Sequence, residues 1–200
     1  AIGIHPHEAG KKSKQEIIEE LQSLGLLADD PSVRAVGECG LDFYYNDRSE
    51  VLGKQTSLLE GQLQIATDNN LPVSFHVREA FVDFWPILDN FPDIQGVLHS
   101  FTDKPEHLEM ALSRGLLIGI NGIATFTSHS WQKELFKSVP IDSFVLETDA
   151  PFLTPHPIRG TINEPINVTY VTKYLAELRG EDEEYIAEHT TANARRLFRF

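Results

Sequence analysis

Six short apolar runs in this chain each end in an acid, a histidine or an asparagine. IGIHPH ends in His5 and His7, and AVGECGLD in Glu38 and Asp42. PVSFHVR ends in His76 and Arg78, GVLHSF in His99, LIGING in Asn121, and FVLETDAP in Glu147 and Asp149. Apolar runs of this length, separated by helical segments, are the pattern of strands buried on both faces of a parallel sheet. The predicted strands cover Ala1–Ile4, Val33–Gly37, Leu71–Phe75, Gly96–Leu98, Leu116–Ile120 and Phe144–Leu146.

Amphipathic spacing predicts helices over Ser13–Leu27, Lys54–Asn69, Glu79–Leu88, Pro105–Arg114 and Trp131–Val139. Gly115 follows one of them as a C-terminal cap, and Pro140 closes another. Two more follow the last strand, at about Pro165–Arg179 and Glu181–Phe198, split by Gly180. Six strands suit either an open doubly wound sheet or part of a (β/α)8 barrel. In a barrel all strand C-termini meet on one rim, where the chemistry lies. In an open sheet ligands gather at the switch point, and peripheral strands have no use for polar endings. The polar endings on every run therefore favour the barrel.

Each polar residue also has a structural reading. A strand-end histidine can simply be hydrogen-bonded, Asp42 can cap its loop, and Arg78 can pair with a neighbouring carboxylate. Buried carboxylates such as Glu38 and Asp149 are costly unless paired or metal-bound. Cys39 reads as a small buried filler, and His107, His129 and His189 as peripheral. It is the joint pattern that favours a metal site. Histidine and carboxylate donors without cysteine suit zinc, manganese, iron or nickel, and carboxylate-rich variants admit magnesium. Two ions about 3.5–4 Å apart are common in phosphoester hydrolysis. Glu38 suits a bridging position, and Asp149 a terminal one that also accepts a proton from water.

The bulk properties narrow the partners. The net charge of −13 leaves no basic footprint for broad attraction to nucleic acid, so a polyanionic substrate needs local positive charge such as a metal ion. One cysteine precludes an intramolecular disulfide and fits a reducing cytoplasm. No apolar stretch approaches the roughly 20 residues of a membrane span. A single domain over residues 1–200 is expected.

The ordered set GIHPH, GECGLDFYY, PVSFHVREA, GVLHSFTD, IGINGIATF and LETDAPFLTP resembles the TatD family of metal-dependent deoxyribonucleases. The later IRGTINEP and TTANARRLF extend the resemblance, which runs from residue 1 to residue 198. It implies a TIM-like (β/α)8 barrel whose divalent ions, two in number and Mg2+, Mn2+ or Zn2+ in kind, support hydrolysis of DNA by an exonuclease acting as a cytoplasmic monomer. By motif, Glu38 is the carboxylate shared between metals, His76 and His99 ligate one ion, and Asp149 ligates the other and helps activate water. His5 faces the substrate phosphate or leaving group rather than a metal, with His7 a weaker candidate on the same rim. Arg78 and Arg159 are expected to meet substrate, as is Asn163. Asn163 and Glu164 also order the loop after the last strand, where the competing reading is a capped helix start before Pro165.

One departure from the family pattern carries an expectation of its own. The family's first strand normally ends in an Asp-x-His-x-His motif, which is absent, while GIHPHEA matches the motif of the third strand. The six runs then correspond to strands three to eight. Two βα units, about 60 residues, would precede them. Two other functions compete with the nuclease: a metal-dependent hydrolase of a small ester, lactone or amide, and a non-catalytic barrel remnant. The rings of Phe43, Tyr44, Tyr45 and Phe126 can stack on unpaired bases, but packing loops onto the rim is the expected role.

Overall fold

The computed structural model describes residues 1–200, organised in two compact units, Ala1–Val97 and Leu98–Phe200. No helix is long and apolar enough to cross a membrane.

The first unit opens with Ile2, which makes one parallel bridge to Val36 rather than a strand. Its N–H donates to the Ala35 carbonyl at 3.0 Å, and its carbonyl accepts the Gly37 N–H at 2.7 Å. The six runs thus yield five strands, because the first is paired through a single residue. Helix α1 (Pro6–Lys11) follows, with Pro6 at its first position and the His5 side chain capping it. A helix of six residues is too short to show periodicity, so nothing in the sequence announced it. Helix α2 (Lys14–Ala28) begins at Ser13, whose hydroxyl and Glu16 form a reciprocal capping box.

Strand β1 (Val36–Asp42) pairs in parallel with β2 (Val73–Arg78), in a register running from Val36↔Val73 to Asp42↔Arg78 with an irregularity between Gly37 and Cys39. Both strands extend past their apolar runs into the residues expected to end them. The backbone pairing of β2 carries GECGLD as strand despite its glycines and acids, because a partner strand supplies hydrogen bonds that composition does not reveal. A Cβ on Gly37, where φ is +132°, would collide with the Ser74 carbonyl, and one on Gly40 with the His76 carbonyl. The two glycines let β1 lie tight against β2 on both sides of Glu38.

Helix α3 (Arg48–Asp68) starts six residues earlier than the spacing predicts, since Asp47 caps it by accepting the Ser49 N–H. It covers β1 with Leu58, Leu59, Leu63 and Ala66, all 2 % exposed or less. Two glutamines on α3 are also fully buried, and they position strand ends. Gln55 accepts the Asp42 N–H at 2.8 Å and donates to the Asp42 carbonyl at 2.9 Å. Two turns later, Gln62 makes the same pair with Ile4, at 2.7 and 3.0 Å. Helix α4 (Phe81–Leu88) contributes Phe84, packed edge-on against Phe75 of β2, and the buried Trp85. Strand β3 (Gly96–Leu98) closes the first unit and opens the second; a Cβ on Gly96 would meet the Phe75 ring at 2.5 Å.

In the second unit, α5 (Pro105–Ser113) leads through Gly115, at φ +72°, into β4 (Leu117–Ile120). Strand β4 is followed by a one-turn helix, α6 (Ile123–Phe126), and by α7 (Ser130–Ser138). Strand β5 (Phe144–Leu146) pairs in parallel with β4, Ile118 opposite Phe144 and Ile120 opposite Leu146. A long loop then reaches α8 (Val168–Arg179), which Gly180 ends in the left-handed conformation, and α9 (Glu183–Phe198). The expected helix from Pro165 begins as a 3-10 turn over Pro165–Asn167. The buried Asn193 of α9 donates to the carbonyls of Ile141 and Phe144, both at 2.8 Å, fixing the start of β5. Arg179 gathers the carbonyls of Phe136, Lys137 and Val139 at the end of α7.

Candidate metal centre and its carboxylate neighbours

Three residues of the first unit bring donor atoms together. His5, Glu38 and His76 each offer one ligand atom, and these atoms lie within 4.8 Å of one another. Glu38 comes from β1 and His76 from the neighbouring β2, while His5 stands between the Ile2 bridge and α1. His5 Nδ1 accepts the His7 N–H at 3.2 Å, which leaves Nε2 to face Glu38 Oε1 at 3.6 Å. His76 Nδ1 lies 2.5 Å from the same Glu38 oxygen. Two imidazole nitrogens and a carboxylate oxygen in this spacing fit a divalent transition metal by donor type. The sequence reading places His5 toward substrate and away from metal; in the fold its ring nitrogen lies among the three donor atoms that could hold an ion.

The far side of His76 is braced. Nε2 lies 2.8 Å from Asp42 Oδ2, the carboxylate–histidine arrangement that orients a metal-binding ring. Asp42 is fully buried, and the same oxygen lies 2.9 Å from His7 Nε2. Its other oxygen accepts the Tyr44 N–H at 2.9 Å. Asp42 thus caps its loop and supports the site at once. Burial alone would raise its pKa, but the His76 contact, the Tyr44 N–H and the nearby imidazoles outweigh that and bring it to about 2. For His76, burial opposes the charged ring, and the contacts with Asp42 and Glu38 win, raising its pKa above the usual histidine value. Cys39 is the inert filler expected: fully buried, its thiol is pushed up by burial and by the Glu38 charge.

The second unit carries its own cluster. His99, directly after β3, lies 2.9 Å from Glu147 through Nδ1 and 3.5 Å from Asp149 through Nε2. Glu147 also accepts the Ser100 N–H at 2.6 Å. Ser100 and Asp149 both adopt positive φ, +51° and +58°, so the chain turns sharply where these residues sit. The buried Asn121 donates to the Ser100 hydroxyl at 2.8 Å and accepts the Ile123 N–H. In the sequence Glu147 stands out only as a strand end; its bonds to His99 and Ser100 make it the organiser of this cluster. Gln55 and Gln62 carry no signal in the sequence, because glutamine on an amphipathic helix reads as surface.

Several residues expected to meet substrate are engaged by other groups of the protein. Asn163 is 3 % exposed and its amide is fully used. It donates to the carbonyls of Thr148 and Phe152 and accepts from Glu164 N–H and Asn167 Nδ2. Asn163 therefore orders the loop and has no hydrogen-bonding position left for a substrate. Arg159 lies over the Phe126 ring, 3.8 Å from its centroid, and donates to the Thr154 carbonyl. Arg78 has no carboxylate partner; its guanidinium stacks on Tyr44 at 3.5 Å. His107 and His189 pair peripherally with Asp103 and Asp142, and His129 precedes α7.

The model of the TatD related DNase family matches residues 1–199. The chain belongs to the TatD-related DNase family. It is 36% identical over 201 residues to YabD, an uncharacterized metal-dependent hydrolase of Bacillus subtilis, covering 100% of this chain and 76% of that protein. It is 37% identical over 204 residues to the 3'-5' ssDNA/RNA exonuclease TatD of Pantoea vagans, covering 98% and 76%. Among solved structures, YJJV, a TatD homolog from Escherichia coli K12, superposes with a TM-score of 0.87 at 31% identity, over 100% of this chain and 76% of that one. The parallel α/β architecture is thus that of a (β/α)8 barrel in part, and the open doubly wound alternative is set aside. As a TatD-family member the chain is a metal-dependent hydrolase acting on ester bonds.

Proposed function

We propose that this TatD-family member hydrolyses phosphodiester bonds in DNA as an exonuclease. The observation that carries the reading is the His5, Glu38 and His76 donor group, with His76 held from behind by Asp42. His76, Glu38 and His5 would hold a divalent ion in the first unit, and His99 and Asp149 are the metal-ligand candidates of the second unit's own cluster. A bound divalent ion there supplies Lewis acidity toward a phosphate oxygen and acidifies water. Asp149, partly exposed, accepts the proton of the attacking water. Glu147 keeps His99 in orientation, and Asp42 does the same for His76. Arg78, exposed at the end of β2, offers local positive charge to the substrate in a chain of net charge −13. The exonuclease names of relatives such as the Pantoea vagans protein support a single-stranded substrate. The reading includes a monomer working in the cytoplasm with two divalent ions.

The test is nucleotide release from single-stranded DNA in added magnesium, manganese or zinc. Glu38→Ala and Asp149→Ala are each expected to lower the rate by at least about a hundredfold. Undiminished release by both variants rejects the assignment. A parallel panel of carboxyl esters and lactones, if turned over in preference to phosphodiesters, would instead favour a small-molecule hydrolase.

A further inference from the structure

We infer that Tyr44 and Tyr45 receive unpaired bases of a single-stranded nucleic acid, with Arg78 fixing the platform and supplying its charge. This inference rests on the nuclease reading and names how that substrate is held. Phe43, first of the three consecutive rings, is 9 % exposed and packs into the core. Tyr44 and Tyr45 are 50 % and 68 % exposed. Of these three rings, the expected role of packing a loop onto the rim therefore fits Phe43 alone.

The arrangement of the two tyrosines is specific. Their rings stand perpendicular with centroids 4.6 Å apart. The Arg78 guanidinium covers one face of Tyr44 and lies 5.4 Å from the Tyr45 centroid. Tyr45 also meets His7 at 5.6 Å and an interplanar angle of 75°, so neither neighbouring ring stacks flat upon it. A large, rigid ring is left with open face area beside a cation.

The platform is tied to the metal-binding group by two routes. Asp42, which braces His76, also accepts the Tyr44 N–H. His7, in contact with Tyr45, has its ring centroid 4.5 Å from that of His5. Bases in a duplex are stacked on each other, whereas those of a single strand present free faces to an aromatic ring. Stacking does not read the base edge or the 2′-hydroxyl, so DNA and RNA single strands are both accommodated without sequence preference. It also adds affinity that the acidic chain cannot draw from charge.

The experiment compares binding of fluorescein-labelled dA12 with a twelve-unit abasic strand, which keeps the phosphates and removes the bases. Binding to the full chain is read by anisotropy in EDTA. The wild type is expected to prefer dA12 by at least about fivefold. Tyr45→Ala and the Tyr44→Ala Tyr45→Ala pair should abolish that preference with unchanged melting temperature, and Tyr45→Phe should keep it. Equal affinity of the wild type for both strands, no binding of dA12, or a preference that survives the double substitution overturns the proposal. Hydrolysis of methyl 4-nitrophenyl phosphate by the wild type in manganese tests the phosphodiesterase reading separately. Its absence alongside a retained dA12 preference would sink the phosphodiesterase reading and leave the platform standing.

Discussion

Gly119 leaves the space in which the Glu147 carboxylate sits: a Cβ on Gly119 would meet Glu147 Cδ and both of its oxygens at 2.8 Å. The colliding atoms are the end of a flexible side chain, so the backbone need not move. The carboxylate, however, is held by His99 and by the Ser100 N–H. Gly119→Ala should therefore lower activity by about 10- to 100-fold through a misplaced His99. Its melting temperature should fall only modestly. Measuring both separates the two effects, and a variant with full activity would show that Glu147 does not position His99.

Asp42 links the protonation of the site to stability. Its folded pKa of about 2 lies below the unfolded value of about 3.9. The ionised group therefore contributes stability that is fully present above about pH 4 and is lost as the pH falls through about 2. In metal-free protein, urea unfolding should show the wild type ahead of Asp42→Asn by about 2 kcal/mol at pH 5, a gap that closes toward pH 2. His76 has the opposite sign: with a raised pKa, its contribution is present below its unfolded value of about 6.5 and disappears as the pH rises through its higher folded value.

Metal removal should be visible without any substrate. Zinc or manganese added to chelator-treated protein at 100 times its dissociation constant should stabilise the fold by about 2.7 kcal/mol, read as a rise in melting temperature. His76→Ala should erase the rise by removing a donor. A metal-insensitive wild type would count against the donor group formed by His5, Glu38 and His76.

The buried amide of Gln62 holds both backbone groups of Ile4, one residue before His5. Gln62→Leu leaves those groups unpaired and should destabilise the protein by about 2–4 kcal/mol. Metal affinity should fall as well, because the backbone bearing His5 loses its fixed point. Isothermal titration with zinc checks this. Unchanged affinity would mean that the Ile2 bridge alone places His5.

Asn163→Ala distinguishes loop ordering from substrate contact. Loss of four hydrogen bonds should cost about 2–4 kcal/mol of stability and open the segment 148–167 to proteases. An intact, protease-resistant loop with a raised KM would restore Asn163 to the substrate.

The strand-end pattern made two pairings legible, Glu38 with His76 in the first unit and His99 with Asp149 in the second, because barrel strands leave polar residues only where they emerge. The reach of β1 was not legible. GECGLD is poor in strand-formers, and only its pairing with β2 explains why it is extended. Gln55, Gln62 and Asn163 were hidden for a related reason: a buried amide is recognised by the backbone groups it satisfies, and those come from segments distant in sequence. Arg78 was read by its charge, while the tyrosine ring that holds it follows from the turn made by Asp42 and Tyr44.

The two tryptophans divide between the two compact units: Trp85, 4 % exposed among Phe81 and Phe84, and Trp131, 42 % exposed on α7. The more exposed Trp131 should emit to the red of the buried Trp85. Replacing either with phenylalanine leaves one tryptophan in one unit, so denaturation of each can be followed by selectively excited tryptophan fluorescence without attaching a dye. Coincident midpoints for the two single-tryptophan proteins would mark one cooperative transition, and separate midpoints two.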